Sequence, residues 1–340
     1  LIKPTYPNAA LVNENFFNEL TTPHNTPQKE LVDLDNRRDL AYAVQTESQE
    51  QVLELILNAV ERTGNKNIVL SGGYGLNCVA NYYYLDTLKN MDINLYVEPI
   101  SSDAGTAIGA AYIAYHQTSQ NKEVMPFGES LYLGLRYSYD DKEIGHLADT
   151  YGATLEKVEI EDVVKLMCNK NIIAMFQGRS EAGPRALGNR SLMYDPTDPN
   201  GKDHVNKVKR REYFRPFAGT ILAEHAEEWF DMRGMKDSPH MMYAMNCQPG
   251  VEEKIPSIIH VDGTCRIQTV TREQNPLYYD YINEFYKQTG VPIIFNTSFN
   301  LGGEPLVETL DDAFRTLANS DIEYLYIAEH NILAKVENVN

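Results

Sequence analysis

The sequence has 340 residues, of which 43% are hydrophobic and 23% are charged. A chain of this length is expected to form about two domains with a large buried core. Its formal net charge of −18 argues against a nucleic-acid partner or an anionic membrane surface, since both need a basic face. The four cysteines form no CxxC pair, which excludes a zinc ribbon or a disulfide scaffold and favours a reduced, cytoplasmic protein. No apolar run approaches the ~18 residues of a membrane-spanning helix.

The first third of the chain predicts alternating helices and strands. Residues 1–35 are expected to be irregular, apart from a short helix near 15–20. Apolar spacing and turn residues then predict, in order, a helix over 38–62, a strand over 67–71, a helix ending at Leu88, a strand over 93–98 and a helix over 104–115. This order indicates an α/β fold with a mostly parallel sheet.

A polar stretch near 117–126 predicts a domain boundary, so we assign residues 1–120 and 121–340 to two domains. The second domain is expected to hold a mixed sheet with helices on one side. Its predicted strands cover 131–133, 154–158, 172–176, 219–223, 266–270, 291–296, 324–328 and 331–336. Its clearest predicted helices cover 140–151, 160–169, 276–289 and 310–319.

Two turns of the first domain combine glycine or acidic residues with a strand–helix junction. The turn containing Gly72, Gly73 and Asn77 would let a phosphate approach backbone N–H groups at a helix N-terminus, or would simply connect strand and helix tightly. Asp103 follows the next strand, where it would either cap a helix or reach a metal from the carboxyl edge of the sheet.

Two segments of the second domain are locally basic within an acidic chain. The loop GRSEAGPRALGNRS carries Arg179, Arg185 and Arg190 directly after a strand. The segment NKVKRREYFR, residues 206–215, carries five basic residues, including Lys209 and Arg215. A local concentration of basic residues is typical of a site for a small, multiply charged anion. The alternative is a solvated helix face.

Two further segments add polar groups near strands. HVDGTCR places Arg266 at the start of a strand, and FNTSFNLGGEP leaves a strand for a polar loop. The loop contains Asn296, Ser298 and Asn300, which would either hold a small polar group or form a plain turn. No HxxxH or HxxH spacing, nucleophile elbow or Walker-type loop is present.

Taken together, these segments resemble the O-carbamoyltransferase family, of the NodU and tobramycin carbamoyltransferase type. The most specific matches are GRSEAGPRALGNRS, NKVKRREYFRPFAGTIL, HVDGTCRIQTV and PIIFNTSFNLGGEPLVET, in the order of the family, and the likeness extends from about Arg38 to about Val336. The resemblance implies part of an actin-like, TsaD-like ATPase domain, followed by a YrdC-like α/β domain with a mixed, twisted sheet.

The resemblance also implies a reaction and roles for residues. Carbamoyl phosphate and ATP would form carbamoyl-adenylate, and the carbamoyl group would pass to a hydroxyl of a small-molecule acceptor. The residues expected to hold carbamoyl phosphate and the ATP phosphates are Arg185, Lys209, Arg215 and Arg266, with Lys209 and Arg215 partly exposed. Those expected to hold the carbamoyl and nucleotide groups are Asn296, Ser298, Asn300, Arg179, Gly72, Gly73 and Asn77.

Metal chemistry is expected from the same resemblance. Asp103 would be a ligand of iron(II) in the transfer site, and Mg²⁺ would accompany ATP. The family's metal-binding histidine pair has no counterpart in this sequence, which begins at Leu1. We therefore expect that the chain is a fragment, that a second polypeptide supplies the histidines, or that the transfer step is lost.

Two alternative functions stay open at this point. One is threonylcarbamoyl-adenylate chemistry for tRNA modification, which the overall acidity disfavours. The other is a nucleotide-binding partner subunit without turnover, which the missing histidines permit. Adenylate formation by the isolated chain would separate the second of these from an enzyme.

Overall fold

The described part of the computed structural model covers residues 35–119 and 130–336. Packing divides the chain into two units, residues 1–66 and 67–340. The first unit contributes one described helix, α1 (Asp35–Thr63), which confirms the predicted helix at this position. It ends at Gly64, whose N–H donates to the Val60 carbonyl at 2.8 Å. The helix expected near residues 15–20 and the domain boundary after residue 120 lie outside the described residues.

The second unit begins with two parallel strands, β1 (Asn67–Leu70) and β2 (Asn94–Val97). Helix α2 (Cys78–Lys89) connects them, and α3 (Asp103–Thr118) follows β2. The predicted order of helix and strand is therefore confirmed. Because parallel strands end at the same edge of a sheet, the turn after β1 and the turn after β2 lie on one side.

A large mixed sheet follows in the same unit. Among the described residues it has nine strands, ordered β3-β11-β10-β4-β5-β9-β6-β8-β7, with β4 parallel to β10 and β6 parallel to β8. The strands are β3 (Ala153–Lys157), β4 (Ile173–Phe176), β5 (Arg190–Tyr194), β6 (Ala218–Leu222), β7 (Ala244–Asn246), β8 (Thr264–Val270), β9 (Ile293–Ser298), β10 (Tyr324–Ile327) and β11 (Ile332–Val336). The expected mixed sheet is confirmed, whereas the division into actin-like and YrdC-like parts stays a prediction.

The helices of this part are α4 (Asp141–Tyr151), α5 (Ile160–Cys168), α6 (Gly201–Val208), α7 (Ala226–Trp229), α8 (Pro276–Thr289) and α9 (Leu310–Ala318). Their ends follow ordinary capping chemistry. A capping box at Asp140 and Glu143 starts α4, and Asn275 caps α8, which ends at Gly290 in the left-handed region. No helix in the described residues combines the length and apolar character needed to cross a membrane.

The core lies where the central strands meet the helices. Strands β4, β5 and β6 are buried along their whole length, and the rings of Phe217 and Phe295 lie 4.4 Å apart. Helix α8 packs on β6 and β9 and buries Tyr281, Ile282 and Phe285 completely. Since each such side chain stabilises the fold by roughly 1.5–3 kcal/mol, this layer holds the central strands in register.

The predicted strand at 131–133 is wrong. The Ala182 N–H donates to the Leu131 carbonyl at 2.7 Å, and the Gly134 N–H donates to the Ser180 carbonyl at 3.0 Å, but no ladder continues from these bonds. This segment therefore runs beside the loop after β4 without joining the sheet.

Strands β5 and β7 and helices α6 and α7 are absent from the sequence-based expectation. Strand β5 begins at Arg190, which the sequence-based expectation placed in the loop after a strand. Its guanidinium is fully buried because it donates to the carbonyls of Gln177, Gly178 and Glu308 and stacks 3.8 Å from the ring of Phe176. Carbonyl oxygens brought together by the fold thus replace water around this cation.

Two glycines on α3 test how this helix packs against the turn that precedes it. A Cβ on Gly105 would lie 2.4 Å from the Ile100 carbonyl oxygen, whereas a Cβ on Gly109 would meet no atom within 4 Å. Gly105→Ala should lower the free energy of unfolding by about 1–3 kcal/mol. Gly109→Ala should raise it by about 0.5–1 kcal/mol through better helix propensity. Urea unfolding followed by circular dichroism checks both, and equal shifts in the two variants would contradict this packing.

Candidate anion-binding site

Three strands bring two polar side chains into one row of the large sheet. Ala218 of β6 pairs with Asn296 of β9 on one side and with Arg266 of β8 on the other. Directly paired residues point to the same face of a sheet. Because neighbouring strands lie ~4.8 Å apart, the backbones of Asn296 and Arg266 are roughly 10 Å apart, with an alanine between them.

The side-chain amide of Asn296 has hydrogen-bond partners at its nitrogen but not at its oxygen. Its Nδ2 donates to the Ala186 carbonyl at 3.1 Å and to Thr220 Oγ1 at 3.0 Å, and the residue is 1% exposed. Its Oδ1 is buried and accepts no hydrogen bond from the described residues. Since a buried acceptor without a donor is costly, this oxygen is suited to a ligand N–H or O–H.

Four arginines, Arg185, Arg211, Arg215 and Arg266, form what we call the basic cluster. Burial, and next the charge of Arg266, lower the pKa of Arg185 to about 10. Burial, and next the charges of Arg215 and Arg266, lower the pKa of Arg211 to about 10. A positive charge that lowers the pKa of a neighbouring guanidinium lies near it without enough negative charge to compensate, which favours an anionic ligand.

Arg185 joins the basic cluster to the glycine turn after β1. Its Nη2 donates to the Leu76 carbonyl at 3.0 Å and lies 3.5 Å from Cys78 Sγ. Its Nε is buried with no hydrogen-bond partner among the described residues, and the same holds for Nε of Arg266. Both atoms are donors that a phosphate oxygen could satisfy.

Arg215 and Arg211 differ in how firmly they are held. The Arg215 side chain is 54% exposed and its Nε donates to Glu212 Oε2 at 2.6 Å, in agreement with the expectation of partial exposure. Arg211 donates from Nε to Asn206 Oδ1 at 2.6 Å and stacks 4.1 Å from the Phe217 ring. Sequence reasoning did not single out Arg211, although the basic segment 206–215 contains it.

Lys209 corrects the expectation of a partly exposed phosphate contact. It is 2% exposed, and its Nζ donates to the Ser298 carbonyl, to the Asn300 carbonyl at 2.9 Å and to Asn300 Oδ1 at 3.1 Å. Burial and the charge of Arg211 lower its pKa. Lys209 therefore ties the end of α6 to the loop after β9, and its donors are already used.

Ser298 and Asn300 are held within the same loop. Ser298 Oγ donates to Asn300 Oδ1 at 2.6 Å, and Asn300 Nδ2 donates to the Glu304 carbonyl at 2.7 Å. Both side chains are half-buried rather than fully enclosed. The structure thus brings these predicted residues together with Lys209, at the carboxyl end of the strand that carries Asn296.

Arg179 lies apart from the basic cluster. Its side chain is exposed and donates from Nη1 to the Gly134 carbonyl at 3.3 Å. It is not among the charges that shift the pKa of Arg185 or Arg211. Its role in binding a nucleotide stays a prediction.

The glycine turn borders a cavity of about 410 Å³ at the carboxyl edge of β1 and β2. Gly72, with φ 88°, opens a 3₁₀ turn over Gly73–Leu76, and a Cβ on either Gly72 or Gly73 would meet no atom within 4 Å. Asn77 is the N-cap of α2, where its Oδ1 accepts from the Ala80 N–H at 3.2 Å. Gly72 lines the cavity together with Ser71, Glu98, Ser102, Gly105 and Thr106.

Asp103 is the first residue of α3 and is exposed. Its alternative role as helix cap is wrong, because Ser102 is the N-cap and accepts from the Ala104 N–H at 3.3 Å. Nowhere in the described ranges do three His, Cys, Asp or Glu side chains form a group that could hold a metal ion. The role of Asp103 as a ligand of iron(II) therefore stays a prediction.

The sequence matches two family models in chain order. The model for the carbamoyltransferase N-terminus matches residues 7–112, and that for the carbamoyltransferase C-terminus matches residues 164–334. An uncharacterized protein of Synechocystis is 34% identical over 96% of this chain and 56% of its own length. The nodulation protein NolNO of Sinorhizobium fredii is 35% identical over 87% of this chain and 44% of its own length. The chain thus spans about half the length of these curated relatives.

Among solved structures, full-length HypF in its phosphate- and nucleotide-bound form is similar with a TM-score of 0.38 and 17% identity. The likeness covers 53% of this chain and 26% of HypF, and it is too weak to support a conclusion on fold or function. Membership of a family is instead shown by the two family models. Because the C-terminal model alone extends over about half of the residues, this chain belongs to the carbamoyltransferase family.

Proposed function

We propose that this chain carries out the activation step of an ATP-dependent O-carbamoyl transfer. Carbamoyl phosphate would lose its phosphate to water, and an oxygen of the resulting carbamate would attack the α-phosphorus of ATP. The bond between that phosphorus and the β-phosphate oxygen would break, giving carbamoyl-adenylate and pyrophosphate. The observation that carries this proposal is the basic cluster, whose Arg266 lies in the same strand row as Asn296, in a chain of the carbamoyltransferase family.

The basic cluster supplies the electrostatic part of this chemistry. Both substrates are polyanions, so they repel each other in water, and fixed cations lower the cost of bringing them together. Nε of Arg185 and Nε of Arg266 are preorganised donors, because burial has already removed their water. No nucleophilic side chain is required, since phosphoryl chemistry of this type depends on positioning and charge neutralisation.

Asn296 supports recognition of the carbamoyl group. Its Nδ2 hydrogens are used by Ala186 and Thr220, which fixes the side-chain amide and leaves Oδ1 as an acceptor. A carbamoyl –NH₂ is a donor, whereas an acetyl methyl group is not. An acceptor that is fixed and otherwise unpaired therefore favours carbamoyl over acetyl phosphate.

The transfer step is assigned to the cavity at the glycine turn. Open space around Gly72 and Gly73 would let the adenylate phosphate approach the backbone, and Arg185 contacts the same turn at Leu76. The acceptor would be a small molecule with a hydroxyl group, whose oxygen attacks the carbamoyl carbon and releases AMP. Mg²⁺ would enter with ATP, and no step is assigned to a metal held by this chain.

The activation step is tested by exchange of labelled pyrophosphate into ATP with the purified chain. We expect exchange that requires carbamoyl phosphate and that acetyl phosphate does not replace. The reason is that only the carbamoyl group offers an N–H to Asn296 Oδ1. Nucleotide binding without any carbamoyl-phosphate-dependent exchange would contradict an activating enzyme and favour a binding subunit.

Arg215→Ala should abolish exchange while leaving the fold intact. The side chain is 54% exposed and, within the described ranges, forms its ion pair with Glu212 alone, so its loss should change the free energy of unfolding by less than ~0.5 kcal/mol. Arg315→Ala is the matched control, because Arg315 is 55% exposed and pairs with Asp312 at the same i,i+3 spacing on α9. Equal activity in the two variants would place the phosphates away from Arg215.

Lys209→Ala should reduce both stability and exchange. Removing the ammonium leaves the partly buried Ser298 and Asn300 carbonyls without their donor, at a cost of about 2–4 kcal/mol. Lys207→Ala, two residues earlier on the exposed side of α6, should unfold like the parent protein. Urea unfolding and pyrophosphate exchange on both variants check this. A Lys209→Ala protein with parental stability would contradict the role of Lys209 as a link between α6 and the β9 loop.

A further inference from the structure

Glu181 is a buried carboxylate that the proposed reaction does not use. It is 7% exposed and sits two residues before Gly183, at the start of the GPRALG loop, residues 183–188. Its Oε1 accepts from three backbone N–H groups, those of Leu187 at 2.7 Å, Asn189 at 2.9 Å and Arg190 at 3.3 Å. One carboxylate oxygen thus joins the residue that precedes the loop to the backbone at the end of the loop.

The loop that Glu181 closes presents groups to the site. Arg185 lies at its middle and reaches the Leu76 carbonyl, while the Ala186 carbonyl accepts from Asn296 Nδ2. The Leu187 carbonyl accepts from Gln268 Nε2 at 3.1 Å. A displacement of this loop would therefore move Arg185 and release the amide of Asn296 at the same time.

The ends of the loop depend on close backbone packing. Gly188 has φ 112°, and a Cβ there would lie 2.3 Å from the Tyr278 ring. Gly183 has φ 91°, and a Cβ there would lie 3.4 Å from the Pro99 carbonyl oxygen. These glycines let the chain turn at both ends of the loop. Arg185 is held in two other ways: by the contacts of its own guanidinium, and by the three hydrogen bonds to Glu181 Oε1, which we call the brace.

We propose that Glu181 is a positioning residue that holds the GPRALG loop so that Arg185 can contact an anion in the basic cluster. The proposal rests on the proposed function only in taking this cluster as an anion site. Glutamine has the same shape and keeps an acceptor at Oε1, so Glu181→Gln should preserve the brace. Alanine removes the acceptor for all three N–H groups and should free the loop.

The test is calorimetric titration of the full chain with inorganic pyrophosphate. Arg185→Ala should weaken binding about tenfold, as expected for loss of a charge-assisted hydrogen bond. Glu181→Ala should weaken it to a similar degree, the double variant should be no weaker than Arg185→Ala, and Glu181→Gln should stay within about twofold of the parent. Hydrogen exchange at the Leu187 and Asn189 amides should be fast in Glu181→Ala and slow in Glu181→Gln.

Four outcomes would overturn the proposal, and they are distinguishable. Parental affinity in Glu181→Ala would show that the loop does not need the brace, while the anion site would stand. A double variant weakened by the product of both single effects would show that Glu181 acts independently of Arg185. A parent chain that does not bind pyrophosphate would remove the anion site, and with it the proposed activation step. If Glu181→Ala does not fold, weak binding by a folded Glu181→Gln protein would still contradict the brace.

Discussion

Repulsion of Arg185 and Arg211 by their neighbours in the basic cluster is the constraint on which the site depends. Like charges repel each other more strongly where burial lowers the local dielectric constant. Glu212 pairs with Arg215, but no carboxylate contributes to the pKa of Arg185, which burial and Arg266 depress. An anion that binds among these guanidinium groups would therefore offset the repulsion that Arg185 and Arg211 experience.

Buried polar bonds, rather than exposed ion pairs, hold this arrangement in place. Thr220 Oγ1 donates to Gln268 Oε1 at 2.9 Å, and Asn296, Gln268 and the carbonyls of the GPRALG loop continue the network. Lys209 adds a link between the end of α6 and the β9 loop. Because these groups are removed from water, losing one leaves its partners unsatisfied, which makes the geometry of the site rigid.

Much of this could be predicted from the sequence, and the remainder has physical causes. Local patterns were enough for the α/β order, the mixed sheet and the basic segments, because periodicity and charge are local properties. The burial of Lys209 depends on carbonyls of Ser298 and Asn300 far along the chain, which no local pattern reveals. Likewise, strand β5 could not be predicted because it begins with Arg190, and a charged residue does not suggest a buried strand. Arg190 is buried because carbonyls from distant parts of the chain accept its hydrogen bonds. Arg211 was missed since adjacent arginines look equivalent until their partners are known.

The central claim is that phosphates bind between Arg185, Arg211, Arg215 and Arg266, on the sheet face that carries Asn296. The most direct measurement is a crystal structure of the chain with a non-hydrolysable ATP analogue and carbamoyl phosphate. Our account predicts phosphate oxygens within hydrogen-bond distance of Nε of Arg185 and of Arg266, and a carbamoyl nitrogen at Asn296 Oδ1. Phosphates bound only in the cavity beside Gly72, with the basic cluster unchanged, would contradict it.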